Sequence, residues 1–168
     1  MKVYISGKID VAVIDDTTRQ KFARAEEMLK AKGYEVFNPT NEKWIQQLED
    51  DYERQFFDRE MTIPAKAASF YAYCLLRNLM ALATKGAVYF LADWDREDQS
   101  EVEHSFAVAT RKRLYYQDRR DACEYLIERM YKEAKANGSP LDYKSLRERN
   151  NIEIAYFTKH LDEVWLPL

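Results

Sequence analysis

Residues 2–39 read KVYISGKIDVAVIDDTTRQKFARAEEMLKAKGYEVFNP, and their order decides the fold. Lys2 to Ser6 is a β-branched and aromatic run that stops at Gly7, the pattern of a buried strand. The polar stretch Asp15-Asp16-Thr17-Thr18 offers N-cap residues. Phe22, Ala25, Met28 and Leu29 then recur at helical spacing until Gly33 ends the helix. Tyr34 to Phe37 is a second short strand, closed by Asn38-Pro39. Strand, helix and strand within so short a stretch form a βαβ unit, which pairs its strands in parallel.

Reading onward, the pattern weakens and then returns. Asn41 to Phe57 is open to a helical reading, but the acidic cluster Glu49-Asp50-Asp51 gives it a weak apolar face. The expectation over residues 41–66 is a mobile or partly helical insertion that ends at Pro64. Ala67 to Thr84 reads as a helix apolar on more than one side, hence packed on both. Lys85-Gly86 breaks it, and Ala87 to Leu91 is a third buried strand. Ala92 to Gln99 is an acid-rich loop at the C-terminal end of that strand, where open α/β sheets bind ligands. Ser100 to Arg113 is the next helix, with Val102, Phe106 and Ala109 as its apolar face, and Leu114 to Tyr116 is a fourth strand. These elements predict an α/β fold of the Rossmann-like or flavodoxin-like kind, a parallel sheet flanked by helices, over residues 1–117. A helical C-terminal extension follows over residues 118–168. In it Ala122, Leu126, Met130 and Ala134 share one face of a helix ending at Asn137-Gly138. Ser139-Pro140 opens another helix, and the apolar end Val164 to Leu168 reads as docked.

The totals narrow the function. The chain has 168 residues, 46% hydrophobic and 33% charged, with a formal net charge of −3. That is ordinary for a globular protein. It supplies no basic field for long DNA or RNA, though a few local donors suffice for a single nucleotide. Cys74 and Cys123 are the only cysteines and form no CxxC pair, and His104 and His160 lie far apart. Neither a metal site nor a cofactor is expected. Two cysteines and no secretory leader predict a cytoplasmic setting. Phe70 to Leu91 contains Arg77, Asn78 and Lys85-Gly86 and is not read as a membrane span.

Three segments in order resemble the nucleoside 2-deoxyribosyltransferase-like superfamily, in particular its small DUF4406-type members. The first is Tyr4-Ile5-Ser6-Gly7, similar to the family's first strand and turn. The second is Tyr73 to Leu91, YCLLRNLMALATKGAVYFL, similar to its helix and following strand. The third is Trp94, followed nine positions later by Glu103 and then by Ala107. Asn38-Pro39 after the second strand also fits. The resemblance implies that Glu103 is a catalytic glutamate and that Tyr4 stands beside it. Asn78 and Glu97 fall where the true deoxyribosyltransferases carry an aspartate, and Glu97 also where shorter relatives carry a serine. The family's Gly-Ala before the glutamate is Gln99-Ser100 here, and its Gly-Pro after the first strand is Gly7-Lys8. The implied activity is that of a nucleoside or nucleotide N-glycosidase or deoxyribosyltransferase. A homo-oligomer is implied as well. The alternative is a non-catalytic nucleotide-binding or sensing domain on the same fold.

Such chemistry needs a carboxylate to capture the oxocarbenium-like anomeric carbon, and a second group to protonate the departing base. Glu103 is the candidate nucleophile, expected in the first turn of its helix, where the dipole favours an anion. Asp95 and Glu97 are the candidates for proton transfer. Tyr4, Ser6, Gly7, Asn38, Asn78, Asp93 and Trp94 are the candidate substrate-binding residues, with Trp94 as a stacking platform. A structural reading stands beside each. Ser100-x-x-Glu103 is also a capping box, Tyr4 is also a core residue, and the acids after the third strand are also a solvated loop.

Overall fold

The computed structural model describes residues 1–9, 14–56, 62–96, 98–138, 141 and 146–168. Its first strand, β1 (Lys2–Ser6), leads into helix α1 (Asp16–Ala31). Asp15 caps that helix by accepting a hydrogen bond from the Thr18 N–H at 2.7 Å. Phe22, Ala25 and Leu29 are buried at the 3–4 spacing that makes one helical face. Gly33 ends the helix at φ +83°, a left-handed conformation that glycine adopts without Cβ strain. Strand β2 (Glu35–Phe37) then returns beside β1, with Val3 opposite Val36 in parallel register.

Strand β3 (Ala87–Phe90) lies on the other side of β1, with Tyr4 opposite Val88 and Ser6 opposite Phe90. With β4 (Arg113–Tyr116) the sheet is four-stranded and parallel, in the order β2-β1-β3-β4. All four residues of β3 are buried, as expected of a strand covered on both faces. Burial of a large apolar side chain such as Phe90 is worth about 1.5–3 kcal/mol. The order reverses between β1 and β3. Ligands in open α/β sheets bind outside the carboxyl ends of the strands at such a switch point.

Expectations change for three helices. Residues 42–56 form a regular helix, α2 (Glu42–Phe56). Trp44, Leu48 and Tyr52 recur every four residues and supply an inward stripe, while Glu49 and Asp50 stay exposed. Helix α3 (Ile63–Ala83) begins earlier than Ala67, because Pro64 sits in its first turn, where the missing N–H costs nothing. The rest of the expected insertion, residues 57–61, lies outside the described residues. Helix α3 packs on α2 and α4 (Asp98–Ala109). It buries Cys74, Asn78 and Leu82, but Leu76 and Met80 are 62% and 65% exposed. It is therefore packed on one face rather than two.

The third change concerns α4. Val102, expected inside, is 41% exposed, and Ala109 is exposed too. The buried side carries Gln99, Ser100, Glu103 and Ala107. A helix that turns polar groups inward and valines outward is arranged for something other than apolar burial.

The chain divides into two compact units, Met1–Leu114 with Leu168, and Tyr115–Pro167. In the second, α5 (Arg119–Ala136) is capped by Asp118 and buries Ala122, Leu126 and Met130. It contacts α6 (Leu146–His160). Arg129 donates to Tyr156 Oη at 2.9 Å and to Glu163 Oε2 at 3.1 Å. The apolar end is docked by backbone bonds. Tyr116 N–H donates to the Val164 carbonyl at 2.7 Å, and Leu166 N–H to the Tyr116 carbonyl at 2.9 Å. The expected helix start at Ser139-Pro140 lies outside the described residues.

Candidate active site

Tyr4 and Ser6 alternate with Val3 and Ile5 along β1, so both project from the same face of the strand. That face meets α4. Tyr4 Oη donates to Glu103 Oε1 at 2.8 Å, and Ser6 Oγ donates to Oε2 at 2.6 Å. Gln99, one helical turn before Glu103, donates through Nε2 to Oε1 at 3.1 Å. Glu103 is 2% exposed. These donors are neutral and come from two elements, and they meet lone pairs that a buried carboxylate must satisfy. Burial, and then the negative charge of Glu103 and the bond to it, push the Tyr4 phenol well above its ordinary value. Tyr4 therefore stays a hydrogen-bond donor at neutral pH.

The capping-box reading of Glu103 does not hold. The helix begins at Asp98, so Ser100 lies within it, and the carboxylate turns toward β1. Glu103 is thus in the second turn rather than the first. Hydrogen-bond donors on β1 and α4 surround the anion, in place of the helix end invoked from the sequence.

Gly7 follows directly. A Cβ there would stand 2.7 Å from Leu91 Cδ1 and 2.9 Å from Leu91 Cβ, so the glycine lets the ends of β1 and β3 approach. Asp93 pairs with Lys21 Nζ at 2.6 Å, tying the loop after β3 to α1. Asn38 folds its own turn. Its Oδ1 accepts from the Thr40 N–H and hydroxyl, and its Nδ2 donates to Glu26 at 2.8 Å. Trp94 stacks on His104 with centroids 4.4 Å apart. That places its indole on another side of α4 from Glu103. Asp95 is exposed, and Glu97 lies outside the described residues.

Beside Gln99 lies a cavity of about 150 Å³. Its apolar wall includes Ile9, Ile45, Leu48 and Phe70, and its polar groups include Arg19, Asn78 and Gln99. Asn78 is buried, and its Oδ1 accepts from Trp44 Nε1 at 3.0 Å. Cys74 also lines the cavity, and burial, followed by the charge of Glu49, pushes its thiol up to about 11, which makes it a poor nucleophile. Tyr4, Ser6, Gln99 and Glu103 are therefore brought together, and Asn78 shares the cavity with Gln99. Asn38 and Trp94 are engaged elsewhere. The residue missed from sequence was Gln99. Its signal was the four-residue spacing to Glu103, which stacks two side chains on one helix face.

Among the described residues no group of His, Cys, Asp and Glu is placed to hold a metal ion. None of the described helices is long and apolar enough to cross a membrane. Residues 1–116 match the model of a family described as Domain of unknown function (DUF4406). No curated protein and no solved structure matches the chain.

Proposed function

We propose a function for a chain that belongs to the family described as Domain of unknown function (DUF4406): cleavage of the N-glycosidic bond of a nucleoside or nucleotide. One observation carries the reading. The Glu103 carboxylate is buried yet fully oriented by Tyr4, Ser6 and Gln99 at the end of β1, beside the switch point of the sheet. Fold alone names no reaction, so the proposal rests on this site together with the three-segment resemblance.

In the proposed reaction a Glu103 oxygen attacks the anomeric carbon while the C–N bond breaks. The base leaves with the bonding pair and takes a proton, leaving a glycosyl ester on Glu103. Water or a second base then attacks the same carbon and releases the carboxylate. Hydrolysis and transfer differ only in that acceptor. Asn78 is an amide and cannot serve as the acid, so proton transfer falls to Asp95, in the segment after β3, or to Glu97, which lies outside the described residues. The cavity equals about five water volumes at about 30 Å³ each. That is room for one planar ring between apolar walls, and the rest of a nucleoside would extend toward its mouth.

A second reading has its own support. The Glu103 oxygens already accept from three groups of the fold, and Gln99-Ser100 stands where relatives carry Gly-Ala. Both fit a nucleotide-binding or sensing domain without turnover. Base release from common nucleosides and their monophosphates, measured for wild type and Glu103→Gln, separates the two. Catalysis predicts turnover that the variant loses while binding persists. Sensing predicts binding by both and turnover by neither. A cytoplasmic homo-oligomer completes the proposal, with the exposed Leu76 and Met80 face of α3 as the contact. Sedimentation would give a monomer mass if that were wrong.

A further inference from the structure

Gln99 is held in one orientation by its neighbour. A carboxylate only accepts, so the Nε2 group faces Glu103 and the Oε1 atom is turned away from it. That oxygen is buried, in a side chain 3% exposed, and has no hydrogen-bond partner among the described residues. Gln99 also lines the cavity. Buried acceptors in folded proteins are nearly always satisfied, and one that is not calls for an explanation. Here the acceptor belongs to the same planar amide that touches the candidate nucleophile, so a ligand engaged with Glu103 can supply the missing donor.

The stereochemistry of the reaction identifies that donor. A nucleophile displacing the base of a β-nucleoside attacks the face of the sugar opposite the base. In ribose the 2′-hydroxyl is on this attacked face, on the carbon next to the anomeric centre. The 3′-hydroxyl is one carbon further, and 2′-deoxyribose has only hydrogen at the nearer position. We propose that Gln99 Oε1 accepts the hydrogen bond of the substrate 2′-hydroxyl, so that the substrate is a ribonucleoside or ribonucleotide and not its 2′-deoxy counterpart. This inference rests on the reading of Glu103 as nucleophile. As the O–H donates to Gln99, electron density on the 2′-oxygen rises beside the developing positive charge, so the bond strengthens in the transition state. A glycine in place of Gln99 would carry no such acceptor.

The test uses the full chain with adenosine, guanosine, cytidine and uridine, their 5′-monophosphates, and the 2′-deoxy and 3′-deoxy forms of each. A hydrogen bond to one hydroxyl predicts a kcat/KM about 10- to 100-fold higher for ribose than for 2′-deoxyribose. The 3′-deoxy forms should lose less. Gln99→Met keeps the length and removes the acceptor, and it should bring the ribose to 2′-deoxyribose ratio to within about threefold. If that variant does not fold, the wild-type comparison of 2′-deoxy with 3′-deoxy substrates decides alone. Equal or better turnover of 2′-deoxy substrates overturns the inference and leaves the Glu103 reading standing. If nothing is turned over, calorimetric binding of the same compounds replaces kinetics. A ribose preference that disappears in Gln99→Met then keeps the Gln99 contact and removes the nucleophile, whereas equal binding or none overturns both.

Discussion

Replacing Tyr4 with phenylalanine removes one oxygen from the centre of the site and little else. The ring is fully buried and stacks on Phe37 with centroids 5.4 Å apart and planes 14° from parallel, contacts that phenylalanine keeps. What is lost is the 2.8 Å bond from Tyr4 Oη to Glu103 Oε1. A hydrogen bond to a charged group contributes about 1.5–3 kcal/mol. Relief of the phenol's own desolvation offsets part of this, so Tyr4→Phe should destabilise by about 1–2.5 kcal/mol at neutral pH. For a chain of this size each kcal/mol is about 2–4 °C in Tm, which gives a drop of about 2–10 °C. A double-mutant cycle with Glu103→Gln isolates the term, since two groups in contact do not add. The coupling between the two positions should exceed about 1 kcal/mol in urea unfolding followed by circular dichroism. Additive single variants would refute the reasoning.

Other consequences follow from packing and charge. Gly7→Ala forces a Cβ against Leu91 at 2.7 Å, so it should destabilise by about 1–3 kcal/mol; a denaturation midpoint unchanged from wild type would show that the ends of β1 and β3 are looser than described. Leu126→Ala empties a fully buried position on α5 and should cost about 2–5 kcal/mol, read as earlier thermal loss of the helical signal of the second unit. His160 Nδ1, 2.8 Å from Glu163 Oε1, holds that carboxyl below its ordinary value near 4.5, with Arg129 adding to it against slight desolvation. A depressed acid stabilises the folded form above its unfolded value and loses that contribution as pH falls through the lower folded value. Wild type should therefore melt above Glu163→Gln at neutral pH and converge with it in acid, and a gap independent of pH would count against the pair.

Legibility from the sequence depended on whether apolar residues did the folding. In β1, KVYIS supplies a β-branched and aromatic run bounded by glycine, and the strand has the limits the sequence predicts. The same holds for the stripe of α5, where Leu126 and Met130 recur at helical spacing. Helix α2 was obscured because three adjacent acids mask a stripe of only one residue per turn. Helix α3 misled in the opposite direction, since Leu76 and Met80 look like core residues yet face out. Most instructive is α4. Its periodicity pointed to Val102 and Ala109 as the inner face, but the inner face is set by Glu103, which meets the hydroxyls of β1 and the amide of Gln99. No apolar count can see that arrangement, because the partners are 97 and 99 residues away in sequence. The pairing of Trp44 with Asn78 was hidden for the same reason.

The central claim is that the buried Glu103 carboxylate forms a covalent bond to sugar. Acid quenching of the wild-type protein during turnover of a nucleoside or nucleotide, followed by peptide mass analysis, tests it most directly. The account predicts a mass increment of one glycosyl group on the peptide carrying Glu103, and no increment in Glu103→Gln. Turnover that leaves Glu103 unmodified, or full activity in Glu103→Gln, would contradict it.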